Sequence, residues 1–322
     1  MTTDLVTGTN GYSGAYVARR LLDAGHNVRT LTRDPAGVTG PVEAHTYTFD
    51  DPDALVSAFT GVDTFYNTYW VRFDRGSTTH DLAVANSQLL INAAAKAGVR
   101  RIVHVSIMHP SPDSPYPYQR GKALVETAVR NSGMSYAILR PSVLFGGPEI
   151  LLSNIAWLLR RWHAFTVPGD GRYRLRPTHV EDLADLMVSL GARNDDIVRD
   201  AGGPETFEFG ALVRMIRDAI GVRALVVTAP LGVVLPLTRV IGLVTNDVTI
   251  HRAELEALMD GLATCDGPPA GNRKYTDFLA ENAAHYGRTY TNELRRNFLT
   301  APDGTTRRRD LRELRVYNGN HG

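Results

Sequence analysis

Apolar and polar positions along the first half of the chain switch between two periods, and the switches outline repeated strand–helix units. Asp4-Leu5-Val6-Thr7 is a short apolar run suited to a buried strand. After it, Ala15, Val17, Ala18, Leu21 and Leu22 fall on roughly one face of a helix. The chain turns at Ala24-Gly25-His26 and becomes extended and apolar again over 27–33. The pattern then predicts a third strand over 44–49, a helix opening at Pro52 and running through Phe59, and a fourth strand over 62–67. A helix over about 79–97 carries Leu82, Leu89, Leu90, Ala93 and Ala94, with Gly98 where a C-terminal cap is expected. Strands five and six follow over 101–106 and 136–140. Repeated βα units of this kind imply a parallel sheet with helices on both faces.

The first strand runs into Gly8-Thr9-Asn10-Gly11-Tyr12-Ser13-Gly14, three glycines spaced Gly-x-x-Gly-x-x-Gly. Strand, glycine turn, helix and strand within about thirty residues is the context that a dinucleotide fingerprint requires. Gly8 suits a tight turn, Gly11 has no Cβ to block a pyrophosphate, and Gly14 lets the helix approach the first strand. The helix N-terminus offers free N–H groups to a phosphate. The fold class expected is therefore α/β, a Rossmann-like doubly wound parallel sheet. Arg33, at the end of the second strand, stands where an acid would bind a ribose 2′-OH. An arginine there pairs with a 2′-phosphate, so NADP(H) is the preferred cofactor, with NAD(H) as the alternative. Asp50 and Asp51 are placed either to contact the adenine edge or to cap the next helix.

Composition narrows the class. With 322 residues, a net charge of +1 and charged residues at 21%, the chain can bury a large core and carries no global field that points to nucleic acid. One cysteine, Cys265, excludes an internal disulfide framework and fits a reducing compartment. The N-terminus enters a strand directly, with no room for a signal peptide, so a cytoplasmic location is expected. The apolar stretch 224–244 is broken by Pro230, Gly232, Pro236, Arg239 and Gly242. That interruption suits a strand, a turn and a short buried helix better than a membrane span. The ten histidines are scattered without metal-ligand spacing, and no metal is expected.

Ser106, Tyr118 and Lys122 form the second constellation. Tyr118 and Lys122 are four apart and share a helix face just after the fifth strand. A neighbouring ammonium favours phenolate and makes the tyrosine a usable acid or base, while the Ser106 hydroxyl is placed to bond a substrate oxygen.

These residues, together with Leu139-Arg140-Pro141-Ser142-Val143-Leu144-Phe145-Gly146, resemble the short-chain dehydrogenase/reductase superfamily. Within it, the chain is most similar to the atypical group of NmrA-like proteins and the NDUFA-type complex I subunit. Arg176-Pro177-Thr178-His179-Val180-Glu181-Asp182-Leu183-Ala184 resembles the segment by which such members return to the sheet. The resemblance implies that the loop from Gly8 through Gly14 holds the pyrophosphate side, Arg33 the adenosine phosphate, and Asp50 and Asp51 the adenine. It places Asn67 and Thr68 along the path to the nicotinamide, Lys122 on the nicotinamide ribose, and the backbone at Pro141 and Val143 facing the ring. Tyr118 is then the proton donor or acceptor. One departure stands out: Ser106 is followed by Ile107-Met108-His109 rather than by small hydroxyl residues. Ser111 or Ser114 are alternatives to Ser106, and Tyr116 is a rival of Tyr118.

The expected organisation is a nucleotide-binding domain over 1–150 with a return segment near 176–200, a substrate lobe from 151–175 and 201–300, and a flexible tail over 301–322. In the lobe, a helix is read over 150–162 and another over 209–221, with Trp157 and Trp162 assigned to the core. The function this implies is hydride transfer between NADP(H) and a small carbonyl or alcohol. A redox sensor without turnover, and an epimerase or dehydratase with tightly held nucleotide, are the alternatives. The partner is a small molecule rather than nucleic acid or membrane, and the protein is a monomer or a homodimer.

Overall fold

In a computed structural model the structure describes residues 1–32, 35–38, 40–46, 49–247 and 250–294. Among the described residues the chain divides into two units, Met1–Pro141 with Val180–Ala201, and Ser142–His179 with 202–294. Arg33, Tyr47 and Thr48 of the expected third strand, and the expected tail over 301–322 lie outside the described residues.

The first unit begins β1 (Thr3–Val6), α1 (Ser13–Asp23), β2 (Asn27–Thr32), β3 (Val42–Thr46) and α2 (Pro52–Phe59). It continues β4 (Thr64–Asn67), α3 (His80–Lys96), β5 (Arg101–Val105), α4 (Pro117–Arg130) and β6 (Ser135–Pro141). The next elements are β7 (Leu144–Phe145), α5 (Leu151–Trp162), β8 (Ala164–Pro168), β9 (Arg174–Leu175) and β10 (Thr178–His179), all in the second unit. The chain re-enters the first unit as α6 (Val180–Gly191) and β11 (Ile197–Ala201).

The first unit's sheet has seven strands in the order β11-β6-β5-β4-β1-β2-β3, and every neighbouring pair is parallel. This is the Rossmann-like sheet expected from the alternating pattern. All of β4 is buried, as suits a strand covered on both faces. Helix ends follow local chemistry. Thr79 caps α3 by accepting from Leu82 N at 3.1 Å, and Gly98 just past its end takes φ +79°. Arg101 is fully buried and donates to the Leu190 carbonyl at the end of α6 at 2.7 Å. Such a cation meets the negative end of the helix dipole.

The second unit is completed by β12 (Phe207–Glu208), α7 (Phe209–Ala219), β13 (Leu225–Ala229), α8 (Leu231–Thr245), α9 (Arg252–Met259) and α10 (Tyr275–Asn282). Its core gathers Phe145, Leu152, Ile155, Leu159, Leu212 and Ile216. Glu149 accepts from Leu152 N and Ser153 N at the start of α5 and from the Tyr286 hydroxyl, and burial pushes its carboxyl up to about 7. Two expectations are corrected here. The helix within 224–244 is not buried, since Val234 is its one buried residue. Its length and composition favour a helix, yet no described layer covers its outer side. Trp162, assigned to the core, is 39% exposed at the last position of α5, where the helix ends in left-handed His163. Among the described residues no helix is long and apolar enough to cross a membrane.

Candidate functional site

Strand order reverses between β1 and β4, so the C-terminal ends of these strands open the crevice where open α/β sheets bind ligands. From β1 the chain turns at Gly8, whose φ is +73°, and Gly11 N donates back to the Gly8 carbonyl at 2.7 Å. A Cβ on Gly14 would stand 2.4 Å from the Gly8 oxygen and 2.7 Å from the Thr7 oxygen. A Cβ on Gly11 would meet the same Gly8 oxygen at 2.9 Å. The glycines therefore let α1 begin directly against the end of β1.

Thr7 ties this loop to β4. Its hydroxyl lies 3.3 Å from Asn67 Oδ1 and accepts from Thr68 N at 2.9 Å and Tyr69 N at 3.1 Å. The Thr68 hydroxyl donates to the Thr7 carbonyl at 2.5 Å. The glycine loop, Asn67 and Thr68, read from separate stretches, thus meet at one point. The fit to a dinucleotide rests on three features of this point. Tyr12 at the N-cap of α1 supplies no side-chain cap, and the first turn holds no acid, which leaves a positive helix end facing the loop. Asn67 Nδ2 and Trp70 Nε1 are buried donors without a protein partner. Three of the loop's seven residues, Gly8, Gly11 and Gly14, carry no Cβ.

The Tyr/Lys pair lies on α4, which Pro117 opens at its first position. Lys122 is 2% exposed, and its Nζ donates to the Val105 carbonyl at 2.7 Å and sits 4.5 Å from the centre of the Trp70 ring. Burial pushes its ammonium down to about 7, against the opposing charge of Glu126. Trp70 reaches this place because Gly121 makes room; a Cβ there would meet the indole at 2.9 Å. The Tyr118 ring meets Trp70 edge-on at 5.6 Å and His80 at 5.7 Å. His104, beneath, is fully buried, and burial followed by the charge of Lys122 holds its imidazole well below the ordinary range.

Ser106 is 4% exposed, and its hydroxyl donates to Glu126 at 2.6 Å. Arg140 clamps the same carboxylate through Nε at 2.8 Å and Nη2 at 2.6 Å. Burial alone would raise the Glu126 carboxyl, but the bonds from Arg140 and Ser106 outweigh it and hold the group ionised below its ordinary value. The alternative serines serve the loop before α4: Ser111 Oγ accepts from Asp113 N at 3.2 Å, and Ser114 Oγ from Tyr116 N at 3.2 Å. Tyr116 is the residue preceding Pro117 at the N-cap of α4. Asp51 caps α2, accepting from Ala54 N at 3.0 Å, while Asp50 sits beside it in the turn after β3. Pro141 ends β6, and its carbonyl accepts from Met108 N at 3.3 Å. Val143 belongs to the second unit and accepts from Thr178 N at 2.9 Å.

Trp70 and Glu126 escaped the sequence reading, and Arg140 entered it only through a motif. Glu126 carries a signal in its spacing, four residues beyond Lys122 and on the same face of α4. Trp70 has none, because its contact with α4 spans about fifty residues of sequence.

The sequence profile of the NAD dependent epimerase/dehydratase family matches residues 5–201. A protein of Arabidopsis thaliana, the mitochondrial NADH dehydrogenase (ubiquinone) 1 alpha subcomplex subunit 9, is 25% identical over 234 residues, covering 67% of this chain and 57% of its own. The (4-alkanoyl-5-oxo-2,5-dihydrofuran-3-yl)methyl phosphate reductase of Streptomyces griseus is 36% identical over 141 residues, 42% of this chain and 46% of its own. The chain thus spans about half the length of these curated relatives. Among solved structures, Citrobacter sp. triphenylmethane reductase complexed with NADP(H) superposes with a TM-score of 0.68 at 16% identity, over 88% of this chain and 100% of its own. These matches bear out the superfamily resemblance and the fold.

Two outcomes are expected from this geometry. Gly14→Ala forces its methyl group into two backbone carbonyls and lowers the unfolding free energy by at least about 2 kcal/mol in urea titrations; an unchanged midpoint would contradict the close approach. The lysine pKa near 7, below its ordinary 10.5, means that the unfolded chain binds more protons between those values, so Lys122 makes stability rise with pH across that window. Urea unfolding of wild type and Lys122→Met from pH 7 to 10 should show the wild type gaining on the variant. Parallel curves would mean an ordinary amine.

Proposed function

The chain belongs to the NAD dependent epimerase/dehydratase family, and from that membership we propose that it is a nicotinamide-nucleotide-dependent oxidoreductase acting on a small carbonyl or alcohol. Gly8 through Gly14 hold the pyrophosphate side at the start of α1, with Thr9, Asn10, Tyr12 and Ser13 lining the loop. Asn67 and Thr68 continue the path, and Lys122 takes the nicotinamide ribose. Pro141 offers backbone toward the ring, and Asp50 and Asp51 lie on the adenine side. Arg33 selects the 2′-phosphate, so NADP(H) is the preferred form. When bound, the nucleotide supplies or accepts the hydride.

The chain's own residues handle the proton. Tyr118 gives a proton to the substrate oxygen in reduction and takes it back in oxidation. Lys122, one turn along α4, favours the phenolate form of Tyr118 whenever its amine is protonated. Trp70 and His80 pack around the Tyr118 ring and limit its contact with water. Ser106, its proton given to the Glu126 carboxylate that Arg140 clamps, orients an alcohol substrate by accepting from its hydroxyl. The observation that carries this reading is the buried Lys122 ammonium, held at the end of β5 by the Val105 carbonyl.

A second reading, an NmrA-like nucleotide-binding regulator without turnover, is favoured by one bond. A Ser106 proton given to the Glu126 carboxylate is not available to a substrate carbonyl. The Arabidopsis relative, by its name a subunit of a larger assembly, agrees with such a role.

Tyr118→Phe separates the two. Under the enzyme reading, kcat for carbonyl reduction falls at least about a hundredfold while nucleotide affinity is unchanged. A variant that keeps its rate removes Tyr118 from the chemistry, and a wild type that binds nucleotide but turns over no member of a carbonyl panel favours the regulator.

A further inference from the structure

Lys122 is sealed off from anything outside the protein. An ammonium carries three N–H donors. Among the described residues one of them reaches an oxygen, the Val105 carbonyl at 2.7 Å, and the Trp70 ring covers Nζ at 4.5 Å from its centre. The face of an aromatic ring attracts a cation, but it offers no lone pair to the remaining donors. With the residue 2% exposed, a hydroxyl group brought to this end of the sheet meets Nζ only if the cover moves.

The cover is held by shape rather than by hydrogen bonds. The rim of the indole rests in the notch that Gly121 leaves on α4, where a Cβ would lie 2.9 Å from Cη2 and 3.2 Å from Cζ2. Tyr118 and His80 flank the ring at 5.6 and 6.0 Å between ring centres. Nε1 is buried without a hydrogen-bond partner, although a buried tryptophan ordinarily finds one. The backbone on either side is fixed. Tyr69 N donates to Thr7 Oγ1 and to Asn67 Oδ1, both at 3.1 Å, and Asp74 Oδ1 accepts from His80 N at 2.7 Å. A turn of the Trp70 side chain therefore breaks no hydrogen bond of its own, frees Nε1 to find a partner, and leaves the loop in place.

We propose that Trp70 is a gate over Lys122: the indole and the nicotinamide ribose are rivals for the ammonium, and the side chain turns off Nζ as the ribose hydroxyls arrive. Two donors of Nζ then serve the hydroxyls while the bond to Val105 stays intact. The proposal rests on the reading of Lys122 as the residue that takes the ribose. It adds that the nicotinamide half of the nucleotide binds only with the gate open, so the closed position lowers the affinity for that half alone.

The full chain and its Trp70→Ala and Gly121→Ala variants test this. The first removes the cover, and the second pushes the rim of the indole out of its notch. Brief acetylation with acetic anhydride at about pH 8, read by peptide mass spectrometry, reports access to Lys122 against the exposed Lys96 and Lys274 in the same sample. The Lys122 amine, pushed down to about 7, is mostly unprotonated there and would outpace an ordinary lysine if the reagent reached it. Slow reaction thus reports the cover. Lys122 should lag both references in the wild type, and its rate should rise at least about tenfold in both variants. Calorimetry should show both variants binding NADPH about threefold more tightly or better. Their affinity for adenosine 2′,5′-bisphosphate, which has no nicotinamide ribose, should not change. Melting followed by circular dichroism checks that each variant is folded. Lys122 that acetylates as fast as Lys96 in the wild type, or no faster in either variant, overturns the gate. So does a wild type that binds NADPH more tightly than both variants, since Trp70 would then belong to the nucleotide site rather than cover it. A folded wild type that binds neither nucleotide removes the ribose reading and the gate with it. Nucleotide binding that both variants leave unchanged removes the gate alone.

Discussion

At Gly14 the start of α1 and the end of β1 approach so closely that one added carbon would fall 2.4 Å from a carbonyl oxygen. Much of the candidate site follows from that approach. It aims the N-terminal N–H groups of α1 across the top of β1, beside the point where strand order reverses. It also leaves Thr7 to bind outward to Asn67, Thr68 and Tyr69, which fixes the end of β4 against the glycine loop. Trp70 comes one residue later and carries the constraint onward to α4 through a second glycine, Gly121. Two positions where a side chain cannot fit thus join three segments that are far apart in sequence.

The charged part of the site depends on a balance of burial against pairing. Lys122 has Val105, the Trp70 face and the nearby Glu126 to offset its desolvation, and the offset is incomplete, so its amine is pushed down to about 7. Glu126 has a bidentate arginine and a hydroxyl, and for it pairing wins over burial. The two groups sit one turn apart on α4 with their equilibria shifted by different causes. Under the proposed function, nucleotide phosphate brought to this end of the sheet would add negative charge that favours the ammonium.

The sheet was legible because its strands are short apolar runs separated by glycine and by helical stretches, and parallel strands covered on both faces need that pattern. The glycine loop was legible for a related reason: its spacing reflects close contacts within a dozen residues of sequence. Side chains that act across longer separations were harder to see. Glu126 reaches Ser106 and Arg140, and Trp70 reaches Gly121, through tertiary contacts that no local period encodes. Apolar composition also misled. Leu82, one of the apolar residues that mark α3 in the sequence, is exposed, as are five apolar residues of α8. Hydrophobicity gives the cost of exposure, but only packing decides which side meets water. Arg33, on which the sequence-based choice of NADP(H) rests, falls outside the described residues.

The central claim is that the crevice between β1 and β4 holds a nicotinamide dinucleotide. Calorimetric titration of the purified protein with NADPH, NADP+, NADH and NAD+ in separate runs tests it most directly. The account predicts saturable binding with one nucleotide per chain, tightest for the two phosphorylated forms, and loss of that binding when Gly11 is replaced by a larger residue in a variant that still folds. Absence of heat with all four nucleotides, from protein shown to be folded, would contradict it.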